Sequence, residues 1–464
     1  MQNQSEGAAL KEVDVSSHIP MLLAAAEALP NRASIEQYLD QLTAAEARGY
    51  FLPDEDEGLR ELYSHYLALR LSLLECVSEV SGGTLSVKGT DNLSEFIVAY
   101  AAACLLMRAG NFIVEMATEH PIVMAKLDEP ELRFGLEAKI FTRIYQSLTS
   151  RKRWWGFFEA TRYYEAHRAE VVALKSDAVL GPVVELLLAE EAMVSARRRD
   201  FLKTRLAYRI HSFIRRNHSG LRKTMFQMLK LSGSAVAELK QPFVKPLGVG
   251  KRVTSEVRVR LLEFLEPGDV LIMRHDDAMS NLFLPGFWPH AAFYIGTNTQ
   301  RAELGVPADS EIGESICFLE AKKDGVKLRP AEDTLQVDSF TVLRPRIPDA
   351  ERAEAVSRGL THAGKLYDFI FDFAAADRLA CTELVYRSYH SVGPVAFELQ
   401  AHAGRPCLSA EDLLNQAVGG GWFEPVLIYG VAKQDWVAGA EAREILQQSF
   451  ASEFQVRGSD EDQG

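Results

Sequence analysis

A chain of 464 residues is long enough for two or three domains that each bury a core, which excludes a single small disulfide-stapled module. With 47% hydrophobic and 25% charged residues, the composition is that of an ordinary globular protein and excludes a disordered or collagen-like one. Net charge is −13, and five scattered cysteines with no Cys-x-x-Cys spacing read as reduced thiols, so neither a disulfide framework nor a zinc site is expected.

Met1 to Val15 is polar and acidic and lacks the basic and apolar regions of a secretion signal, so a cytoplasmic protein is expected. Ser34-Ile-Glu-Gln37 reads as a capping box ahead of Tyr38 and Leu39. The acids Asp54 to Glu57 stand where a helix N-terminus favours them, ahead of Leu59 to Val80. Further helices are expected over Leu93 to Thr118, Pro130 to Leu148, Trp154 to Leu174 and Val183 to Ile214. The apolar run Phe96 to Met107 has twelve residues, short of the roughly 20 that span a bilayer, and no transmembrane helix is expected. No metal-ligand pattern occurs on these helices.

The sign of the charge changes sharply between Arg197 and Arg252. Fifteen Lys or Arg face two acids there, so this stretch carries +13 and the rest of the chain −26. Leu202, Leu206, Ile210 and Phe213 form an apolar stripe through it, of the width that a core-facing helix needs, so a buried stripe is expected ahead of a membrane-facing one. Together with Arg151-Lys-Arg-Trp-Trp-Gly-Phe-Phe158, the stretch 197–252 suggests peripheral contact with an anionic membrane. Nucleic acid is not expected, since no zinc finger or RNP-type motif accompanies the charge.

The Pro- and Gly-containing connector Gln241 to Gly250 marks a boundary between an all-helical domain over 1–245 and a second domain over 246–451, followed by an acidic tail over 452–464. Beyond it the period shortens. Val270 to Met273, His290 to Ile295, Ile316 to Leu319 and Phe340 to Leu343 read as strands, and Ala350 to Ala363 and Cys381 to Tyr389 as helices, so this half is α+β.

Three side chains in that half can do chemistry. Cys381 opens a helix in Arg378-Leu-Ala-Cys-Thr-Glu-Leu-Val-Tyr386, the position that favours a thiolate. His290 opens a strand directly after the loop Pro285-Gly-Phe-Trp-Pro289, and Glu320 ends the next strand. Singly, these are a buried core thiol, a structural histidine and a solvated carboxylate. As a set they supply a nucleophile, a base and a group that orients the base.

The motifs Gly268-Asp-Val-Leu-Ile272, Trp288-Pro-His-Ala-Ala-Phe-Tyr-Ile-Gly296, Phe318-Leu-Glu-Ala321 with Gly325-Val326, Tyr367-Asp368 and Cys381-Thr-Glu-Leu-Val385 occur in that order. They resemble the circularly permuted papain-like cysteine hydrolases, NlpC-like amidases of the YiiX/YebB-like branch, with lecithin retinol acyltransferases as distant relatives. The resemblance runs from about Leu261 to Gly430. It implies an antiparallel sheet or partial barrel with packed helices, and a reaction through an acyl thioester with no metal or organic cofactor. It further implies Cys381 as nucleophile, His290 as base and then acid, and Glu320 as orienter. Tyr367 and Trp288 would be substrate or oxyanion contacts, and Asp269 structural. The substrate would be an acyl lipid or a peptide amide, and the reaction hydrolysis or acyl transfer. The other class of reading is a non-catalytic membrane- or partner-binding module with a degenerate papain-like domain.

Overall fold

The computed structural model describes residues 15–81, 92–148, 150–196, 250–276, 287–307, 311–369, 371–402, 405–431 and 436–449. They form two compact units, one of 15–49 with 55–196 and one of 50–54 with 250–449. Residues 197–249 of the basic stretch, its apolar stripe included, lie outside the described residues, as do Leu282, Phe283, Leu284 and the acidic tail. Lys251 and Arg252, the members of that stretch that are described, are committed to carboxylates. Lys251 Nζ lies 3.1 Å from Asp338 and Arg252 Nη1 2.5 Å from Asp276.

The first unit is helical, from α1 (Ile19–Ala28) and α2 (Arg32–Arg48) through α3 (Pro53–Ser81), α4 (Leu93–Glu119), α5 (Pro121–Leu127), α6 (Ile140–Leu148), α7 (Arg151–Ala166) and α8 (Arg168–Ala173) to α9 (181–196). By length and composition α4 could cross a membrane, but 72% of its apolar window is buried by the other helices, which makes it the core helix of the unit. Its Phe96 and Tyr100 stack, and the Tyr100 hydroxyl donates to Thr161 of α7 at 3.1 Å.

Three local expectations change. The cap of α2 is Asn31, with Ser34 three residues inside the helix. The Asn31 side chain accepts from Ser34 N–H and the Ser34 hydroxyl accepts from Asn31 N–H, so the box is reciprocal but shifted by one turn. The single helix expected over Pro130 to Leu148 shrinks to α6. Glu131–Gly135 forms a tight turn with Gly135 at φ +62°, and Asp128 accepts Thr142 N–H at 2.7 Å near the start of α6. The helix expected over Trp154 to Leu174 starts earlier, at Arg151, and breaks at His167, whose Nδ1 lies 2.9 Å from the Tyr163 carbonyl. Within it Trp154 stacks on Phe158, and Trp155 stands 57% exposed.

The second unit is built on a seven-stranded sheet. Its strands are β1 (Val270–Arg274), β2 (His290–Tyr294), β3 (Ile316–Lys322), β4 (Gly325–Pro330), β5 (Ser339–Pro345), β10 (Phe423–Tyr429) and β11 (Trp436–Ala438), in the order β11-β10-β5-β1-β2-β3-β4 with every pairing antiparallel. Outside it β6 (Leu366–Tyr367) pairs with β7 (Arg378–Leu379) and β8 (Gln400–His402) with β9 (Arg405–Cys407), and α11 (Asn298–Leu304) follows β2. The four runs read as strands from the sequence are β1, β2, β3 and β5, contiguous in the sheet. Side chains alternate between its faces. Val270, Ile272, Ala291, Phe293 and Leu319 enter one core with α13 (Asp349–Leu360), α14 (Cys381–Tyr389), α15 (Ala410–Gly419) and α16 (Ala440–Ser449). Leu271, Met273, Ala292, Tyr294 and Phe318 enter another with α10 (Ser255–Phe264) and α12 (Ala331–Thr334). This is the α+β architecture of a helical region followed by an antiparallel sheet domain.

The Gly-Asp turn before β1 ties the layers together. Gly268, at φ +98°, donates its N–H to the Tyr294 carbonyl at 2.8 Å and accepts the Tyr389 hydroxyl from α14. Asp269 is fully buried and takes Arg344 of β5 at 3.0 and 2.8 Å, a structural role. A close approach sets the position of α14. A Cβ on Gly359 of α13 would sit 2.7 Å from the Phe293 ring and 2.9 Å from the Ser388 hydroxyl, both fully buried. Gly359→Val should therefore lower the unfolding free energy by about 1–3 kcal/mol or more through overpacking, read as a shift in the denaturation midpoint with an unchanged denaturant slope.

Candidate active site

Cys381 is the first residue of α14. Ala380 precedes it in an extended conformation, and Glu383 reaches back to the Ala380 N–H at 3.4 Å. Arg387 locks that carboxylate at 2.8 Å one turn on, and donates to the carbonyls of Phe373 at 3.2 Å and Ala375 at 3.4 Å. The start of the helix is thus fixed to the chain that leads into it. The helix N-terminus points positive partial charge at the sulfur, which lies only 3% exposed.

His290 is the first residue of β2, opposite Met273 of β1, so its imidazole stands at the end of the strand pair. On the other side β2 pairs with β3, Phe293 opposite Leu319 and Tyr294 opposite Phe318. Glu320 and Lys322 follow on β3, two residues apart and so on one face of the strand. Glu320 is fully buried, and its Oε1 lies 2.8 Å from His290 Nε2. The Cys381 thiol lies against the same imidazole, and each group acts on the charge of the other. With Nε2 taken by Glu320, the nitrogen left for sulfur is Nδ1. The structure therefore brings Cys381, His290 and Glu320 into one chain of contacts.

The electrostatics agree with the geometry. Burial pushes the Cys381 thiol up, but the His290 charge and the backbone N–H groups of Ala291 and Thr382 outweigh it and hold the thiol below its ordinary range. Burial pulls His290 down, while the Cys381 and Glu320 anions raise it further, to about 9. Glu320 sits below the usual carboxylate range because His290 and Lys322 overcome its burial. Thiolate and imidazolium thus stabilise each other.

Tyr367 belongs to β6 (Leu366–Tyr367), which pairs in parallel with β7 (Arg378–Leu379), opposite Leu379 and two residues before the nucleophile. Burial, with Cys381 and Asp368 nearby, pushes its hydroxyl well above the ordinary tyrosine range, so it is a neutral donor beside the sulfur. Trp288 is placed differently from the contact expected of it. Its ring is fully buried and its indole N–H donates to Ser449 of α16 at 2.9 Å, so it anchors the entry to β2 and offers no surface to a substrate. Phe287 beside it carries Arg274 over its ring at 4.5 Å.

Some residues of the site were not legible in the sequence. His275 follows β1, and burial together with Lys251, His290 and Lys322 holds its imidazole down at about 4, so it is neutral at pH 7. The outer oxygen of Glu320 accepts the Thr334 hydroxyl at 3.0 Å, and lies 2.9 Å from Lys322 Nζ and 3.4 Å from Arg329 Nε. Lys322 alone had a signal, two residues from Glu320 on the same strand face. Among the described residues no group of His, Cys, Asp and Glu could hold a metal ion.

A search of the curated proteins and of the solved structures finds no match to the chain. Residues 264–420, the span that holds the thiol, the imidazole and the buried carboxylate in this geometry, match the family model described as permuted papain-like amidase enzyme, YaeF/YiiX, C92 family.

Proposed function

We propose that the second unit hydrolyses an amide bond through an acyl thioester on Cys381. The observation that carries this reading is the contact chain from Cys381 to His290 to Glu320, with a thiol held low and an imidazole held high. In the first step the Cys381 thiolate attacks the carbonyl carbon, and the carbonyl π pair moves to oxygen. Backbone N–H groups at the start of α14 and the Tyr367 hydroxyl are the donors available to that oxyanion. As the C–N bond breaks, the His290 imidazolium gives its proton to the leaving nitrogen and becomes neutral. Water then enters. His290 takes its proton, hydroxide adds to the thioester, and collapse releases the acid and the thiolate with the imidazolium restored. Glu320 stays ionised throughout and holds the ring by Nε2.

A thiol-reactive acyl probe should label Cys381, and Cys381→Ala should lose both labelling and turnover while its thermal unfolding stays within a few degrees of wild type. Continued turnover in Cys381→Ala would place the nucleophile elsewhere. Glu320→Gln should retain labelling and lose roughly 100-fold in kcat/KM, because the ring is misoriented but still present.

Activity should follow a bell in pH. The alkaline limb belongs to His290: the protonated ring is needed for the leaving group, so kcat/KM falls as pH rises through about 9. Since Glu320 helps to raise that value, Glu320→Gln should move the alkaline limb down toward the ordinary imidazole value. A limb that stays in place in this variant would detach Glu320 from the base.

A further inference from the structure

We propose that Lys322, Arg329 and Thr334 are positioning residues of this site, a clamp on the outer oxygen of Glu320 that keeps the carboxylate ionised and its inner oxygen turned to His290. The proposal rests on the thioester reading above.

A carboxylate with no solvent exposure ordinarily sheds its charge by taking up a proton. A neutral Glu320 would give the imidazolium no anion to lean on. The two oxygens divide the work instead. Oε1 faces His290 at 2.8 Å, while Oε2 meets the Thr334 hydroxyl at 3.0 Å, the Lys322 ammonium at 2.9 Å and the Arg329 guanidinium at 3.4 Å. These groups come from β3, β4 and the last residue of α12, so they approach from different directions and oppose rotation of the carboxylate. Thr334 is 1% exposed and adds a short neutral bond of fixed direction. Buried ion pairs return little net stability after desolvation. What the clamp provides is a defined charge at a defined place.

Asp324, in the turn between β3 and β4, takes the Nη2 of Arg329 at 2.5 Å, and the remaining charged groups nearby face elsewhere. His275 is neutral and sits toward His290, Lys251 is paired with Asp338, and Tyr367 and Asp368 lie on the Cys381 side. Removal of a clamp donor therefore acts through Glu320. Glu320 then binds its proton at higher pH, the imidazolium weakens, and the thiolate survives only at higher pH.

The test is the rate of Cys381 alkylation by iodoacetamide against pH, read by the mass of the Cys381 peptide in the full chain. It needs no substrate. Wild type should show thiolate reactivity well below the ordinary thiol range. Thr334→Val and Lys322→Met should each move the acid limb up by about one pH unit, and Thr334→Ser and Lys322→Arg should restore it. A residue that only supports the fold would lower the unfolding midpoint without moving that limb. Limbs of Thr334→Val and Lys322→Met that coincide with wild type overturn the clamp alone. A wild-type Cys381 that titrates as an ordinary thiol overturns the ion pair itself and the clamp with it.

Discussion

Everything at this site depends on how α14 is seated. All nine of its residues are buried, so the helix has no solvent face and no freedom to slide. A helix so enclosed must find partners for its polar groups inside the protein: Glu383 pairs with Arg387, Arg387 holds carbonyls of the preceding segment, Ser388 donates back to Leu384, and Tyr389 reaches Gly268, while the Thr382 hydroxyl meets no partner among the described residues. These fastenings fix the sulfur at the end of β2 without any covalent link. The small contact surface of Gly359 is the other half of the arrangement, because it lets α13 press the helix against the sheet.

From that seating the charges follow in sequence. A sulfur at a helix start beside backbone N–H groups favours the thiolate, a thiolate favours the imidazolium, and an imidazolium favours an ionised Glu320. Each group would revert to its neutral form if buried alone, and none is alone. The coupling runs outward through the fully buried Glu320 to Lys322 and Arg329, whose side chains are 29% and 13% exposed. The charge of the site is thus anchored near the surface while its reactive end stays covered.

The sequence disclosed those parts whose signal is local. β1, β2, β3 and β5 are apolar runs because both faces of the central sheet are covered. The boundaries read for α14, Cys381 to Tyr389, are the ones observed. The missing strands carry confusing chemistry: β4 reads Gly-Val-Lys-Leu-Arg-Pro, β11 has three residues, and β10 contains Pro425, tolerated because the register shifts there. In the site, Cys381, His290 and Glu320 were legible through motif order. Thr334 and Arg329 were not, since a threonine ending a short helix and an arginine on a strand normally meet water, and nothing local marks them as facing a buried carboxylate. Trp288 misled for the opposite reason: an aromatic in a loop reads as exposed, and its partner Ser449 lies far along the chain.

β4 is the last strand of the sheet; Val326 near its start exchanges backbone hydrogen bonds with Gly364 and Lys365, and the rim beyond it carries Lys327, Arg329 and Pro330. Strand rims of this kind recruit further strands unless charge or proline interrupts them. Lys327, Arg329 and Pro330 supply that interruption, and Arg329 is also an ion-pair partner of Glu320. One guanidinium therefore serves both solubility and chemistry. Selection or engineering that replaced it with an apolar residue to tighten the core would expose an aggregation-prone edge at the same time, so resistance to self-association and tuning of the thiol cannot be altered independently at this position.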